Sequence, residues 1–157
     1  MKIKLIAIGK TDNSALQVLI DDYRKRLSFY IKFELEIIAD IKNVKNLSEA
    51  QQKEKEGVMI LSKISPMDHL ILLDENGKSF SSVSFSEELK KKMNAGIKTL
   101  VFVIGGSYGF SDEVHAKANG KIALSQMTFS HQMVRLFFIE QVYRGFTILK
   151  NEPYHHQ

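Results

Sequence analysis

LSQMTFSHQMVRLFFIEQVYRG, residues Leu124 to Gly145, divides into two halves of different chemistry. The second half carries Met133, Val134, Leu136, Phe137, Phe138, Ile139, Val142 and Tyr143, with Phe146 just beyond it. A helix apolar nearly all round has to be buried on more than one side. In a chain this small, that calls for a partner subunit as well as the domain's own core. The first half, Ser125 to Ser130, is a polar, irregular loop. It sets the hydroxyl, amide and thioether groups of Ser125, Gln126, Met127 and Thr128 beside Phe129 and His131. That mixture suits a pocket for a ligand that is partly polar and partly aromatic. A plain connection into a core helix is the alternative.

Upstream of this helix, strand and helix patterns alternate. Lys2 to Ile8 is a strand running into Gly9. From Asn13 to Tyr30, the residues Leu16, Leu19, Ile20, Tyr23, Leu27 and Tyr30 recur at helical spacing. Lys32 to Ala39 sets Phe33, Leu35 and Ile37 against Lys32, Glu34 and Glu36, a half-buried strand. Ser48 and Gln51 have the spacing of a capping box, and the charged run that follows, Gln51 to Glu56, reads as a solvated helix face. Pro66 closes that helix. His69 to Leu73 is a short apolar strand of the kind covered on both faces, followed by a turn, Glu75-Asn76-Gly77-Lys78. Ser84 and Glu87 offer a second capping box for a helix that Asn94 and Gly96 close. Thr99 to Ile104 is a buried strand leading into Gly105-Gly106-Ser107-Tyr108-Gly109. A short helix begins at Ser111-Asp112-Glu113, and Ile122 to Leu124 is the last strand. This alternation predicts an α/β fold, a mainly parallel sheet with flanking helices. No repeat or linker interrupts it, so residues 1–157 read as a single domain.

The length suffices for one proper core, and 44% apolar with 25% charged residues are globular values. The absence of cysteine excludes disulfides, thiolate metal sites and a cysteine nucleophile together. MKIKLIAIGK is too short an apolar run for a signal peptide or a membrane span, so a soluble cytoplasmic protein is expected. A net charge of +4 with a pI near 9.2 favours a polyanionic partner.

Glycines directly after a buried strand let the backbone approach a ligand closely. Gly105 to Gly109 is neither GxGxxG nor a P-loop, which disfavours a dinucleotide or a phosphate nest. A tight strand-to-helix turn is the plain alternative. If the sheet is parallel, Leu73-Asp74, Ile104-Gly105 and the loop Leu124 to Phe129 fall side by side, a crevice suited to an adenine nucleoside held by main-chain groups. Histidine and carboxylate spacings offer no metal site. Ser107 and Ser125 have no base at a recognisable spacing, which makes hydrolase chemistry a weak choice. His131 either donates to a ligand or belongs to the first turn of the helix. Arg135 interrupts an apolar face, and Glu140 with Arg144 forms an i,i+4 pair. Tyr154, His155 and His156 lie in a short polar tail that by composition alone reads as disorder.

The order FVIGGSYGF, ALSQMTFSHQMVR, IEQVYRGFTI and NEPYH closely resembles the RlmH family, knotted SPOUT-class methyltransferases that modify a pseudouridine of large-subunit ribosomal RNA. The resemblance covers the whole chain. It implies a deep trefoil knot at the C-terminus, S-adenosyl-L-methionine bound in it, and a homodimer packed through the last helix. The cofactor contacts it implies are Leu73, Gly105, Leu124, Ser125, Gln126, Met127, Thr128 and Phe129. Three positions depart from the family pattern: Ser130 stands where proline is usual, Gly145 where alanine is frequent, and His155-His156-Gln157 in place of one histidine and a charged end. Methylation at N3 of a pseudouridine requires loss of the imide proton. His131, Arg135, Tyr154 and His155 are the catalytic candidates, the tail reaching over the neighbour's cofactor in a dimer. So small a chain is expected to read a composite RNA shape in the assembled ribosome. Two other classes fit less of the pattern: a knotted methyltransferase of transfer RNA, and a non-catalytic ribosome-binding module.

Overall fold

A computed structural model describes residues 1–156; Gln157 lies outside the described residues. The element order is β1 (Lys2–Ile8), α1 (Ser14–Leu27), β2 (Lys32–Ile38), α2 (Glu49–Leu61), β3 (His69–Ser79), α3 (Ser82–Asn94), β4 (Thr99–Ile104), α4 (Asp112–Lys117), β5 (Gly120–Ala123) and α5 (His131–Leu149). The five strands form one sheet in the order β2-β1-β4-β3-β5, and every pairing is parallel. β4 is central, which explains its unbroken apolar run: Leu100, Phe102 and Ile104 face one side, Val101 and Val103 the other.

Helices cover both faces. On one face Ile20 and Leu27 of α1, Phe85 and Leu89 of α3, and Leu136, Phe138, Ile139, Val142 and Phe146 of α5 pack on Ile3, Leu5, Ile71 and Phe102. The Phe102 and Phe138 rings meet at 4.6 Å. On the other face Ile60 of α2 and Val114 of α4 cover Ile6, Leu70, Leu72 and Val103. α5 lies between α1 and α3, contacting both, and so is apolar over most of its surface.

The capping box at Ser48 and Gln51 forms with both of its hydrogen bonds. The second expected box does not. α3 starts earlier, capped by Ser81, whose hydroxyl accepts from Ser84 N–H, because the serine-rich run offers a cap one turn upstream of Ser84. β3 is also longer than expected. It pairs with β5 through Leu73, loops out at residues 74–77, and resumes at Lys78, so that Leu73 and Lys78 both face Ile122. Asp74 Oδ1 accepts from Asn76 N–H at 2.8 Å and shapes the loop. Gly77 allows its return, since a Cβ there would come within 2.5 Å of Ile122 N. β5 begins two residues earlier than the sequence indicates, at Gly120.

Candidate active site

Beyond the carboxyl ends of β3, β4 and β5 opens a cleft of about 500 Å³, within the size range of small-molecule sites. Leu73, Ile104 and Ile122, paired across the ladders, form its floor. One wall is the segment Gly105 to Phe110. It doubles back through a bridge between Gly106 and Gly109, with Gly109 at φ +80°, a conformation glycine adopts without strain. Behind this wall stands α2. Its Glu56 is buried, and a side chain at Gly106 would overlap the Glu56 carboxylate. Gln52 donates to Glu56 Oε1 at 2.9 Å, whereas Oε2 has no partner. The opposite wall is Leu124, Ser125, Met127, Thr128 and Phe129, continued by His131 and Val134 of α5. Met127 N–H donates to Ser125 Oγ at 2.9 Å and sets the first turn of that loop. Ser130 caps α5 by accepting from Met133 N–H. Lys53, Asp74, Tyr108 and His115 complete the lining, His115 Nε2 lying 3.9 Å from Asp74 Oδ2.

Seven of the eight residues expected to hold a cofactor therefore line one cleft: Leu73, Gly105, Leu124, Ser125, Met127, Thr128 and Phe129. Gln126 is exposed and does not line it. His131 belongs to the cleft; Arg135, one turn further along α5, does not. The Arg135 guanidinium is buried and donates to the Ile8 carbonyl and to Thr11 Oγ1, both at 2.7 Å. It satisfies the backbone where the β1 ladder ends, and so faces into the protein instead of toward an anionic ligand. Burial lowers its pKa, against the opposing pull of Asp40 and Asp12.

The tail residues Tyr154 and His155 are likewise outside the cleft. Tyr154 OH donates to Glu140 Oε1 at 3.0 Å and lies 3.0 Å from Tyr23 OH. Arg144 binds the same Glu140 oxygen through Nε and Nη2, at 3.0 and 2.5 Å, and its Nη1 is 3.3 Å from His155 Nδ1. Burial and the Glu140 carboxylate that accepts its proton both raise the Tyr154 pKa. Tyr30 donates to Glu152, and that bond, with burial, pushes the Tyr30 pKa up to about 12. The predicted Glu140–Arg144 pair is thus present, and the tail packs on α1 and α5.

Lys53 and His115 were not singled out as site residues by the sequence, whereas Asp74 was grouped with the crevice and Tyr108 lies in the glycine segment that follows β4. Lys53 and Glu56 lie inside the charged run that reads as solvated; the signal against that reading is the spacing of Glu56, Gly57 and Ile60, a single helix stripe that is buried. Among the described residues, no group of His, Asp or Glu is placed to hold a metal ion, and no helix is long and apolar enough to cross a membrane.

Residues 1–155 match the family described as predicted SPOUT methyltransferase. Among curated proteins, the chain is 83% identical to the ribosomal RNA large subunit methyltransferase H of Flavobacterium psychrophilum and 80% to that of Flavobacterium johnsoniae, over 100% of both chains in each case. The protein of the same name from Parabacteroides distasonis is 62% identical, again over the full length of both.

Proposed function

Because the chain belongs to the SPOUT methyltransferase family, and within it to the ribosomal RNA large subunit methyltransferase H proteins, we propose that it transfers the methyl group of S-adenosyl-L-methionine to N3 of a pseudouridine in 23S ribosomal RNA. The observation that carries the reading is the cleft: the loop Leu124 to Phe129 and the glycine wall meet at three parallel strand ends. The donor set fits the cofactor. It offers main-chain amides and carbonyls, two hydroxyls (Ser125 and Thr128), and the apolar surface of Leu73, Leu124 and Phe129, which suit an adenosyl group. Gly105 contributes by its lack of a side chain, since a Cβ would lie 3.1 Å from the Phe110 ring. When bound, the cofactor supplies a sulfonium-activated methyl group, so that alignment is the main task left to the protein.

The residues then divide the work. Leu73, Gly105 and the loop hold and orient the adenosyl group. His131, on the cleft wall, takes the imide proton from N3. The tail of the second protomer in a homodimer, with Tyr154 and His155, positions the RNA base. Support for a contribution in trans is the placement of the tail. The ten steps from Val134 to Arg144 rise about 15 Å along α5, away from the protomer's own cleft. In the knotted arrangement of the family the C-terminal segment threads through a loop; the return of α5 from the edge strand to a place between α1 and α3 supports that threading here.

The deciding experiment gives the purified protein labelled S-adenosyl-L-methionine together with unmethylated 23S RNA, either naked or in assembled ribosomes, and reads the labelled nucleoside by mass spectrometry. Label on a pseudouridine from ribosomes alone is the expected result. Cofactor binding with no label on either substrate would replace the substrate, with transfer RNA tested next, and no cofactor binding would leave a ribosome-binding module.

A further inference from the structure

The tail after α5 is short and polar, the kind of segment that ordinarily frays. Here Asn151, Glu152, Tyr154 and His155 are each held. Asn151, at φ 55°, turns the chain back, and Glu152 N–H donates to the Thr147 carbonyl at 2.9 Å. The Glu152 carboxylate accepts from Tyr30, and Tyr154 packs edge-on against Tyr143 with ring centroids 4.8 Å apart. Tyr23 and Tyr30 both belong to the α1 side of the fold: Tyr23 lies in α1 and Tyr30 just after it. Their rings meet Tyr143 at 5.9 and 5.7 Å.

The direction of the hydrogen bonds follows from the inventory of donors. Glu140 accepts only, so the single proton of Tyr154 goes to it. Tyr23 must then donate to Tyr154 across their 3.0 Å contact. Arg144 has donors only, so His155 Nδ1 accepts from it and the ring proton of the neutral imidazole sits on Nε2. The chain Tyr23 to Tyr154 to Glu140, with Arg144 joining Glu140 to His155, fixes both the place of the tail and the face His155 presents. Glu140, Arg144 and the tail supply only part of that network; its outer anchors, Tyr23 in α1 and Tyr30 just after it, come from a segment that has no residue in the cleft.

We propose that Tyr23 and Tyr30 are positioning residues for methyl transfer: by gripping Tyr154 and Glu152 they hold the tail in the one shape in which His155 offers an Nε2–H donor to the RNA base. This rests on the reading that the tail acts on the substrate. The grip is made by each protomer on its own tail, so the tail is prepared before RNA arrives and is rigid when it meets the neighbouring cleft.

The test uses the full-length protein with unmethylated ribosomes and the variants Tyr23→Phe and Tyr30→Phe, singly and together. Both keep the aromatic ring and lose only the hydroxyl. For the double variant, kcat falls by about tenfold or more, as expected from misplacement of a positioning group, while the dissociation constant for S-adenosyl-L-methionine stays within about twofold of wild type. Hydrogen exchange of the Glu152 and Tyr154 amides speeds up, and that of the α1 amides does not. An unchanged kcat in the double variant, with Tyr154→Phe and His155→Ala both impaired, overturns the grip and leaves the tail's role standing. Equal loss of kcat and cofactor affinity also overturns it, because the effect is then general. Full activity in Tyr154→Phe and His155→Ala removes the role of the tail and the grip with it.

Discussion

Gly106 faces the cleft on one side and the Glu56 carboxylate on the other. Glu56 cannot easily swing away, since it is 3% exposed and its Oε1 is bound by Gln52. Gly106→Ala is therefore expected to destabilise the fold by about 1–3 kcal/mol, the usual cost of overpacking, and to lower methyl transfer as the wall shifts. Glu56→Ala in the same chain removes the obstacle. The double variant should regain part of the lost melting temperature, and a double variant no more stable than Gly106→Ala would place the clash elsewhere. Little of this was legible in the sequence. Gly106 stands out after a buried strand, but its neighbour Glu56 is fifty positions away in a run whose charges look solvated. Arg135 is similar: a cation in an apolar stretch reads as a catalytic candidate, and only the fold shows the Ile8 carbonyl that it satisfies.

Elements were easier to read than the contacts between them. The apolar run of β4 and the helical spacing of α1 carry their own periodicity, because one strand is buried on both faces and one helix on a single face. The start of α3 reads as Ser84 in the sequence and lies at Ser81 in the fold, since Ser81, Ser82 and Ser84 are all capable caps and only the packed structure selects Ser81. In α5, Gly145 is the weak point of an otherwise well-packed helix. A Cβ there would lie 3.0 Å from Leu89 Cδ1, with nothing else nearer than 3.8 Å. Leu89 lines a cavity of about 170 Å³ and has room to give. Gly145→Ala should then stabilise the protein by about 0.5–1 kcal/mol through helix propensity. That corresponds to a rise in melting temperature of about 1–4 °C by calorimetry. A fall would mean that Leu89 is held where it is.

At the scale of the whole molecule, the sequence carried the α/β class and the position of the cleft, since both follow from strand–helix alternation and from what lies at strand ends. It could not carry the packing of α5 between α1 and α3, because no local period records which helices a segment will meet. The same helix leaves Phe137 36% exposed beside Phe129 at 37%, their rings 4.9 Å apart, with Met127 75% exposed nearby. Val18 and Leu19 of α1 add exposed apolar surface on the helix that packs against α5. A patch of this kind marks an interface, and a second copy of the chain is the occupant proposed above. Phe137→Asp is expected to sediment as a monomer and to lose methyl transfer while still folding; a wild-type protein that is monomeric at micromolar concentration would remove the dimer.

The order of strands also sets a timetable. β1 leaves the ribosome first, yet its neighbour at the centre of the sheet is β4, and Lys2 pairs with Thr99. At synthesis rates of about 5–20 residues per second, roughly 5–20 s separate the two. For that interval β1 has only β2 beside it, and its inner edge, destined for the middle of the molecule, faces water or a chaperone. α5, the wedge between α1 and α3, emerges last of all. A nascent chain halted before Thr99 thus holds β1 and β2 from one side of the sheet and β3 from the other, while the central strand that joins them has yet to be made.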